Sequence, residues 1–204
     1  MILYKTVAGE AIAEQTIEKS RFITYVKPVS SREEADAFVK EIKARHKDAT
    51  HNVPAMVIGD KMQIQWASDD GEPSGTSGAP IVQMLVSEEI TNVCLVVTRY
   101  FGGIKLGTGG LVRAYTSSAK LGIEAAGIKE VAERFFEDAE VDYTYLSAFQ
   151  RVDGERFMIE SIDYGEKVKI LMSVQSEQTA ELKAQIRELS QGKAKIISEY
   201  NKNT

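Results

Sequence analysis

A glycine-rich stretch from Thr98 to Arg113 lies within residues 90–123, a segment that contains no Asp or Glu. The basic residues of this segment are Arg99, Lys105, Arg113 and Lys120. Glycines let a ligand approach the backbone closely, and a helix N-terminus offers unpaired N–H groups with a partial positive charge. A guanidinium can bind phosphate or carboxylate in bidentate fashion, and an ammonium supplies a mobile point charge. The stretch therefore predicts a site for a phosphate-like anion.

The residues predicted to line this anion site lie on both sides of the glycine turn. They are Arg99, Tyr100, Gly102, Gly103, Lys105, Gly107, Thr108, Gly109, Gly110 and Arg113. A structural alternative stays open, in which the glycines only form tight turns and Thr108 caps the helix. The Gly-Lys-Ser/Thr end of a Walker A loop is missing, so nucleotide hydrolysis is not indicated.

A second polar stretch, residues 68–78, places three carboxylates in a glycine-containing loop. These carboxylates are Asp69, Asp70 and Glu72. They offer the oxygen ligands that a divalent cation prefers, so a divalent cation is a candidate cofactor. They could instead form salt bridges with the basic segment across a cleft, or belong to a solvated turn. The ligand site is further predicted to include the loop hydroxyls of Ser74, Thr76 and Ser77, although the Gly-x-Ser-x-Gly pattern of serine hydrolases is absent.

The chain contains two histidines and one cysteine, which limits metal and thiol chemistry. His51, between a predicted helix and a predicted strand, is the candidate for the cleft, whereas His46 is expected at the exposed end of the helix. Cys94 lies in an apolar segment, and we expect it to be a buried small hydrophobic residue. Trp66 and Tyr100 could stack on a ligand, with core packing as the default for Trp66.

Hydrophobic periodicity predicts the elements that position these residues in the first part of the chain. The predicted elements are a strand at 20–29, a helix from a cap at Ser30 or Ser31 to near His46, an antiparallel hairpin of strands 53–58 and 62–66, an uncharged central strand at 93–98 and a helix from Gly110 that stops at Gly127. Residues 79–87 fit a helix, with a buried strand as the alternative.

The second part of the chain predicts a different arrangement. Its predicted elements are a strand at 135–143, a short helix at 146–152, hairpin strands at 156–164 and 167–174, a helix at 179–189 and a strand at 194–200. This β-α-β-β-α-β order is that of the ferredoxin-like split βαβ arrangement. The predicted fold class is α+β, with one domain at residues 1–131 and a second at residues 132–204.

Both polar stretches also carry a resemblance to a known family. The segments SDDGEPSGTSG at 68–78 and VVTRYFGGIKLGTGGLVRAY at 96–115 resemble the signature of the YigZ/Impact family. The similarity includes Lys19-Ser20-Arg21-Phe22 and runs along the whole length, but it departs at Val53, where many relatives have Cys. The resemblance implies an N-terminal domain with the fold of the second domain of ribosomal protein S5. It also implies a ferredoxin-like C-terminal domain similar to the last domain of elongation factor G.

The resemblance further implies a role in translation. Eukaryotic Impact regulates translation by competing for the activator of an initiation-factor kinase, but this chain has the two-domain layout of the bacterial branch, so that partner is not carried over. The leading hypothesis is a cytoplasmic, non-enzymatic factor that binds RNA, the ribosome or a translation protein through the Gly-rich, Arg/Lys-lined face. The alternatives are a metal-assisted enzyme acting on a phosphorylated or nucleotide-like small molecule, and a purely protein-binding adaptor.

The composition limits the remaining classes of protein. The 204 residues are 43% hydrophobic and 27% charged, which is typical of a globular protein and excludes collagen-like, disordered and coiled-coil chains. The longest apolar runs fall far short of the roughly 20 residues that span a bilayer, and the N-terminus lacks an apolar signal region, so we expect a cytoplasmic protein. The net charge of −5 argues against general binding of polyanions, which makes the local basic segment more informative.

Overall fold

The computed structural model describes residues 2–204, which form ten strands, five α-helices and one short 3₁₀ helix at Ser176–Gln178. The strands are β1 Ile2–Val7, β2 Ala11–Ile17, β3 Ser20–Pro28, β4 His51–Ile58, β5 Ile64–Ala67, β6 Val93–Tyr100, β7 Ile128–Val141, β8 Met158–Tyr164, β9 Val168–Gln175 and β10 Lys195–Asn203. The helices are α1 Arg32–Arg45, α2 Gly78–Ser87, α3 Gly107–Ala126, α4 Tyr143–Arg151 and α5 Thr179–Leu189. The predicted α+β class is therefore confirmed.

The chain divides into two compact units. The N-terminal unit comprises Tyr4–Glu130, and the C-terminal unit comprises Val131–Thr204 together with Ile2 and Leu3. Among the described residues, no helix has both the length and the apolar character needed to cross a membrane.

The N-terminal unit is built on an antiparallel sheet with strand order β2-β3-β6-β4-β5. The central strand β6 is buried from Val93 to Thr98, as its uncharged sequence predicts, and the charged Arg99 that follows is buried as well. Helices α2 and α3 pack on one face of the sheet, where Leu95, Leu85 and Tyr115 share one hydrophobic core. Helix α1 covers the other face. The last side chains of β6 therefore lie at the edges of two separate hydrophobic cores, one on each face of the sheet.

The predicted helix capped near Ser31 and the predicted hairpin about Gly59 are both present. In α1, the Ser31 hydroxyl accepts a hydrogen bond from the backbone N–H of Glu34, which is the expected capping interaction. Residues 79–87 form a helix and not a strand. Their buried residues Ile81, Met84 and Leu85 recur at three- and four-residue spacing, so one helical face meets the core.

The first two strands lie within residues 2–17, for which the sequence suggested no element. In β2, exposed positions alternate with half-buried ones, because one face of this strand at the edge of its sheet is open to solvent. Such a short alternating pattern indicates a strand only weakly, because it is pairing with β3 that fixes the register of β2.

The C-terminal unit has the predicted β-α-β-β-α-β order, and α5 has the predicted bounds. Its strands follow the antiparallel order β10-β7-β9-β8, and β1 also pairs with β7. Strand β7 begins at Ile128, seven residues before the predicted start at Phe135, and the predicted end at Tyr143 is wrong because Tyr143 opens α4. Pairing partners extend the strand at its start, where Ala132 and Thr204 exchange two backbone hydrogen bonds.

Two side chains test the expectations about burial. Cys94 is buried, as expected, and burial raises the pKa of its thiol to about 12. Core packing as the default for Trp66 is wrong, because this residue is 37% exposed on the edge strand β5. The Arg32 guanidinium lies 4.4 Å from its ring centroid, which gives the indole a polar neighbour at the surface.

Gly122 marks the closest approach of α3 to the sheet. A β-carbon at this position would lie 2.5 Å from Cγ2 of Thr24 and 2.8 Å from Cγ2 of Val26. We therefore expect Gly122→Ala to lower the free energy of unfolding by about 1–3 kcal/mol, because the helix must move away from β3. Gly109→Ala in the same helix is the matched control, with no loss expected, because its β-carbon would make only an ordinary contact of 3.9 Å with Nη1 of Arg113. Urea unfolding of the two variants checks the difference, and equal stability would contradict this packing constraint.

Candidate functional site

Asp69 organises the acidic loop, which we define as residues 68–77 between β5 and α2. Its Oδ1 accepts hydrogen bonds from the Ser77 hydroxyl at 2.7 Å and from the backbone N–H of Gly78 at 2.9 Å, and its Oδ2 accepts one from the N–H of Gly75 at 2.7 Å. Burial alone would raise the pKa of Asp69, but these donors outweigh it and hold the pKa below its ordinary value. Asp69 thus accepts hydrogen bonds from groups at the N-terminus of α2.

Asp70 ties the loop to α1 and β4. Its carboxylate pairs with the Lys43 ammonium and accepts a hydrogen bond of 2.7 Å from the backbone N–H of Asn52. Its carbonyl oxygen lies 2.8 Å from Nδ1 of His51, which donates to it. Asp70 adopts a positive φ of 49°, a conformation that Asp tolerates better than most residues. The side chain is therefore committed to holding the loop in place.

Glu72 extends from the acidic loop into the interior of the unit, and it is only 8% exposed. Its Oε1 accepts hydrogen bonds from Nη1 of Arg99 at 2.7 Å and from the hydroxyl of Tyr115 at 2.6 Å. Its Oε2 lies 3.7 Å from Nε2 of His51. Burial, reinforced by the bond to Glu72, raises the pKa of Tyr115 far above its ordinary value, so the phenol stays a donor.

Arg99 is 4% exposed and lies near the end of β6, between the neighbouring strands β3 and β4. Besides Glu72, its guanidinium donates to the Ser20 hydroxyl at 3.2 Å and lies 5.4 Å from the ring centroids of both Phe22 and Phe101. Its Nε has no hydrogen-bond partner among residues 2–204. The two aromatic rings and the carboxylate enclose the cation, which corrects the prediction of Arg99 as an open ligand-binding residue.

The acids of the loop do not form the predicted metal site. Asp69, Asp70 and Glu72 each belong to a different hydrogen-bond network, and no group of three or more His, Cys, Asp or Glu side chains within residues 2–204 is arranged to hold a metal ion. The physical reason is that backbone N–H groups and cations of the protein already occupy the carboxylate oxygens. For Glu72 the alternative interpretation, a salt bridge with the basic segment, is confirmed.

The four cations of the basic segment divide into paired and unpaired ones. Arg99 pairs with Glu72, and the Lys120 ammonium lies 2.7 Å from the Glu88 carboxylate. Lys105 and Arg113 are exposed, and neither forms an ion pair in the part of the chain that the structure describes. Among residues 2–204, the cations of this segment without an ion-pair partner are therefore limited to these last two side chains.

The Gly-rich turn, defined here as residues 101–113, consists of the loop after β6 and the first turns of α3. Gly102 packs directly on the backbone at Lys19, since a β-carbon there would lie 2.0 Å from the Lys19 carbonyl, and its N–H donates to the Ser20 hydroxyl. In contrast, Gly103 and Gly107 have positive φ angles and open space around them. These two glycines leave the backbone accessible beside the unpaired cations.

Helix α3 begins at Gly107 without a side-chain cap, because the N-cap residue is Leu106. Thr108 lies inside the first turn, so the structural alternative in which it caps the helix is wrong. A β-carbon on Gly109 would lie 3.9 Å from Nη1 of Arg113, which places the guanidinium beside this turn. Gly110 is tighter, because a β-carbon there would lie 3.1 Å from Cβ of Leu106. The first-turn residues Gly107, Thr108 and Gly109 are exposed, and N–H groups at the start of a helix have no acceptor within it.

The predicted hydroxyl ligands behave differently from one another. The Thr76 hydroxyl donates to the carbonyl of Pro73 at 2.6 Å, and the buried Ser77 donates to Asp69, so both are engaged within the loop. Ser74 is exposed. Of the three, only Ser74 presents a hydroxyl without a partner among the described residues.

Tyr100 does not join the Arg99 cluster, because successive side chains of a strand point to opposite faces. Its hydroxyl donates to Asp48 at 3.2 Å and lies 2.8 Å from Nδ1 of His46. Nε2 of His46 lies 2.6 Å from the hydroxyl of Tyr25, so this imidazole is held between two tyrosines. Burial, with a contribution from Arg45, lowers the pKa of His46, so its neutral form is favoured.

Several structural partners of the site have no obvious chemical role in the sequence. Ser20 accepts hydrogen bonds from Arg99 and from the backbone N–H of Gly102, and Tyr115 donates to Glu72. Tyr115 lies within the helix predicted from Gly110, where an aromatic ring is expected to pack in the core, so its hydroxyl gives no separate signal in the sequence. The resemblance at residues 19–22 was the available pointer to Ser20.

We expect Arg99→Met and Glu72→Gln each to lower the free energy of unfolding by about 3–5 kcal/mol, because each removes one partner of a buried ion pair. The double variant should lose clearly less than the sum of the single losses, since the two residues are coupled. Lys120→Met, which removes an exposed pair with Glu88, is the control and should cost less than about 1 kcal/mol. Urea unfolding measures all four variants, and additive losses would argue against the pair.

Asp69→Asn should destabilise the protein by about 0.5–2 kcal/mol near neutral pH, because the N-terminus of α2 loses a charged acceptor. The folded-state pKa of Asp69 is depressed, so its contribution is present above the unfolded-state pKa and disappears as pH falls through the folded-state pKa. The stability gap to the parent protein should therefore close in acid. Denaturant unfolding across acidic pH checks this, with the exposed Asp163→Asn as control; a gap that does not change with pH would contradict the role of the charge.

Two family matches cover both units. Residues 18–123, which include the acidic loop and the Gly-rich turn, match the Impact N-terminal domain, and residues 140–193 match a domain of unknown function, DUF1949.

Similar proteins cover nearly the whole chain. IMPACT family member YvyE of Bacillus subtilis (strain 168) is 42% identical over 194 residues, which are 95% of this chain and 89% of the relative. IMPACT family member YigZ of Escherichia coli (strain K12) is 33% identical over 194 residues, 94% of this chain and 95% of the relative. A solved structure described as the crystal structure of an hypothetical protein is 31% identical, covers 96% of both chains and has a TM-score of 0.60. Because the first family match spans more than half of the residues and these relatives align over almost their full length, the chain belongs to the IMPACT family.

Proposed function

We propose that this protein is a non-enzymatic, cytoplasmic regulator of translation that binds RNA phosphates, on the ribosome or on free RNA, through the Gly-rich turn. The observation that carries the proposal is the pair of exposed cations without ion-pair partners among residues 2–204, Lys105 and Arg113, beside the uncapped N-terminus of α3. The role in translation rests on the family resemblance and on membership of the IMPACT family.

The physical argument compares free cations with paired ones. A cation already bound to a carboxylate must break that interaction before it can bind a phosphate, whereas Lys105 and Arg113 need only lose water and counterions. The accessible backbone at Gly103 and Gly107 lets a phosphate approach the N–H groups of the helix start. These groups lie within residues 103–113, around the start of α3, and together they make up the proposed binding surface.

An exposed aromatic side chain adjoins this surface. Phe101 is 46% exposed, and Ile104 is exposed next to Lys105. Base stacking on an aromatic ring, combined with backbone phosphate contacts, is how many proteins bind single-stranded RNA. Phe101 is therefore the proposed stacking residue, and Ile104 supplies apolar contact beside it.

We assign the two units to the fold families implied by the resemblance, with the domain boundary at residue 131. The N-terminal unit would be the S5-like domain. For the C-terminal unit, the antiparallel order β10-β7-β9-β8 and the β-α-β-β-α-β connectivity support a ferredoxin-like assignment.

The two alternative functions have less support from the described contacts. A metal-assisted enzyme would need Asp69, Asp70 and Glu72 to bind a cation, and their oxygens are engaged with other groups of the protein. A purely protein-binding adaptor would present the sheet of the C-terminal unit to its partner, and it would leave the unpaired cations of the Gly-rich turn without a role.

The double variant Lys105→Ala/Arg113→Ala should lose about tenfold or more in affinity for a labelled single-stranded RNA and for purified bacterial ribosomes. The slope of log affinity against log salt should fall in magnitude by about 1.4, at about 0.7 per lost phosphate contact. The control, Lys120→Ala/Lys129→Ala, removes the same charge away from the Gly-rich turn and should change little. Fluorescence anisotropy measures RNA binding, and cosedimentation measures ribosome binding.

Unchanged affinity in the Lys105→Ala/Arg113→Ala variant would overturn the proposed surface. An equal loss in the control variant would show that only net charge matters, which also contradicts a defined site. Ribosome binding that depends on Phe101 but not on salt would indicate a protein partner in place of RNA phosphates.

A further inference from the structure

A groove in the C-terminal unit lies between α5 and β10, away from the Gly-rich turn in sequence and outside the function proposed above. It has a volume of about 520 Å³, within the range of small-molecule sites. Its apolar lining includes Ile186, Ala194 and Ile196. Its charged lining consists of Glu137, Lys183, Arg187 and Glu199.

Glu137 is the unusual member of this lining. It occupies β7 among apolar neighbours, with Phe135 and Ala139 of the same strand in the core beneath α4 and α5, and it is only 2% exposed. Its Oε2 is buried and has no hydrogen-bond partner among residues 2–204. The paired positions on the neighbouring strands are Met172 on β9 and Glu199 on β10, neither of which can donate to it.

Burial makes the isolated carboxylate unfavourable and raises the pKa of Glu137. The nearby Lys183 opposes this shift, but its ammonium is bound to Glu199 at 2.5 Å. The cation that could have satisfied Glu137 thus belongs to another pair. A buried acceptor left without a donor is uncommon in proteins, and it destabilises the fold unless a ligand supplies the donor.

We propose that this groove binds a small ligand or a peptide side chain that carries a guanidinium or ammonium group, with Glu137 accepting its N–H. We expect a cationic ligand because a charged donor both hydrogen-bonds the buried carboxylate and offsets its charge, which makes the hydrogen bond charge-assisted. A planar guanidinium fits best, since it can present parallel N–H groups to a carboxylate.

Arg187 gives the groove a second point of recognition. It is exposed on α5 and forms no ion pair in the described part of the chain, whereas Lys183 is paired with Glu199. A carboxylate or carbonyl at the other end of the ligand can accept a hydrogen bond from this guanidinium. The groove therefore favours an amino-acid-like molecule, with its cationic end at Glu137 and its acceptor end at Arg187.

The test uses the full chain and two probes, agmatine and arginine, followed by calorimetry and by chemical-shift changes in β7 and α5. Both probes should bind saturably at millimolar concentrations or below, and arginine should bind more tightly than agmatine because it also offers a carboxylate. Glu137→Gln should weaken both by about tenfold or more. Glu140→Gln, an acid on the same strand that does not line the groove, is the matched control and should leave binding unchanged. An N-acetylated, C-amidated arginine distinguishes a peptide side chain from the free amino acid.

Stability and pH separate a binding role from a structural one. Without probe, Glu137→Gln should melt at the same or a higher temperature, because it removes a buried charge. Agmatine affinity should rise as pH rises through the titration of Glu137, whose charged neighbours are Lys183 and Arg187 on α5 and Glu199 on β10, Met172 of β9 being uncharged. Absence of saturable binding, equal binding by Glu137→Gln, or binding that strengthens in acid would each overturn the proposal.

Discussion

The site in the N-terminal unit depends on the buried ion pair between Arg99 and Glu72. A guanidinium placed under an aromatic ring at the end of a central strand would be very unfavourable alone, so the structure requires a carboxylate within reach. Glu72 meets that requirement, and in doing so it draws the acidic loop against the sheet. The hydroxyl of Tyr115 on α3 donates a second hydrogen bond to the same carboxylate. One interaction thereby connects the loop, β6 and α3, and the beginning of α3 is where the Gly-rich turn leads.

Around this ion pair, the residues of the acidic loop and of the basic segment have two different roles. Asp69, Asp70, Glu72, Arg99 and Gly102 hold the backbone in place, each through contacts within the protein. Lys105 and Arg113 have no ion-pair partner among residues 2–204, and the backbone at Gly103 and Gly107 has open space around it. The same residue types thus serve opposite purposes within a few positions of one another. Glu137 in the C-terminal unit shows the converse case, a carboxylate in a core without its counter-charge.

Local sequence patterns predicted the elements whose own residues determine them. Helix α5 has the expected bounds because a single amphipathic stripe defines it, and α1 follows its Ser31 cap. The central position of β6 followed from its uncharged run. The early strand β2 and the first half of β7 could not be predicted, because their pairing partners stabilise them more than their own alternation does. The family resemblance pointed to the important segments, but it did not distinguish supporting residues from exposed ones.

The amino-acid sequence by itself determined the α+β class, the secondary-structure order of the C-terminal unit and the presence of a basic segment without acids. Only the tertiary structure decided which of the four cations stay unpaired. Arg99 and Glu72 are 27 residues apart in the chain, and Lys120 forms an ion pair with Glu88 at a comparable separation. Charge counts along the sequence cannot reveal such pairs, since electrostatic partners are chosen by distance and burial in the folded protein.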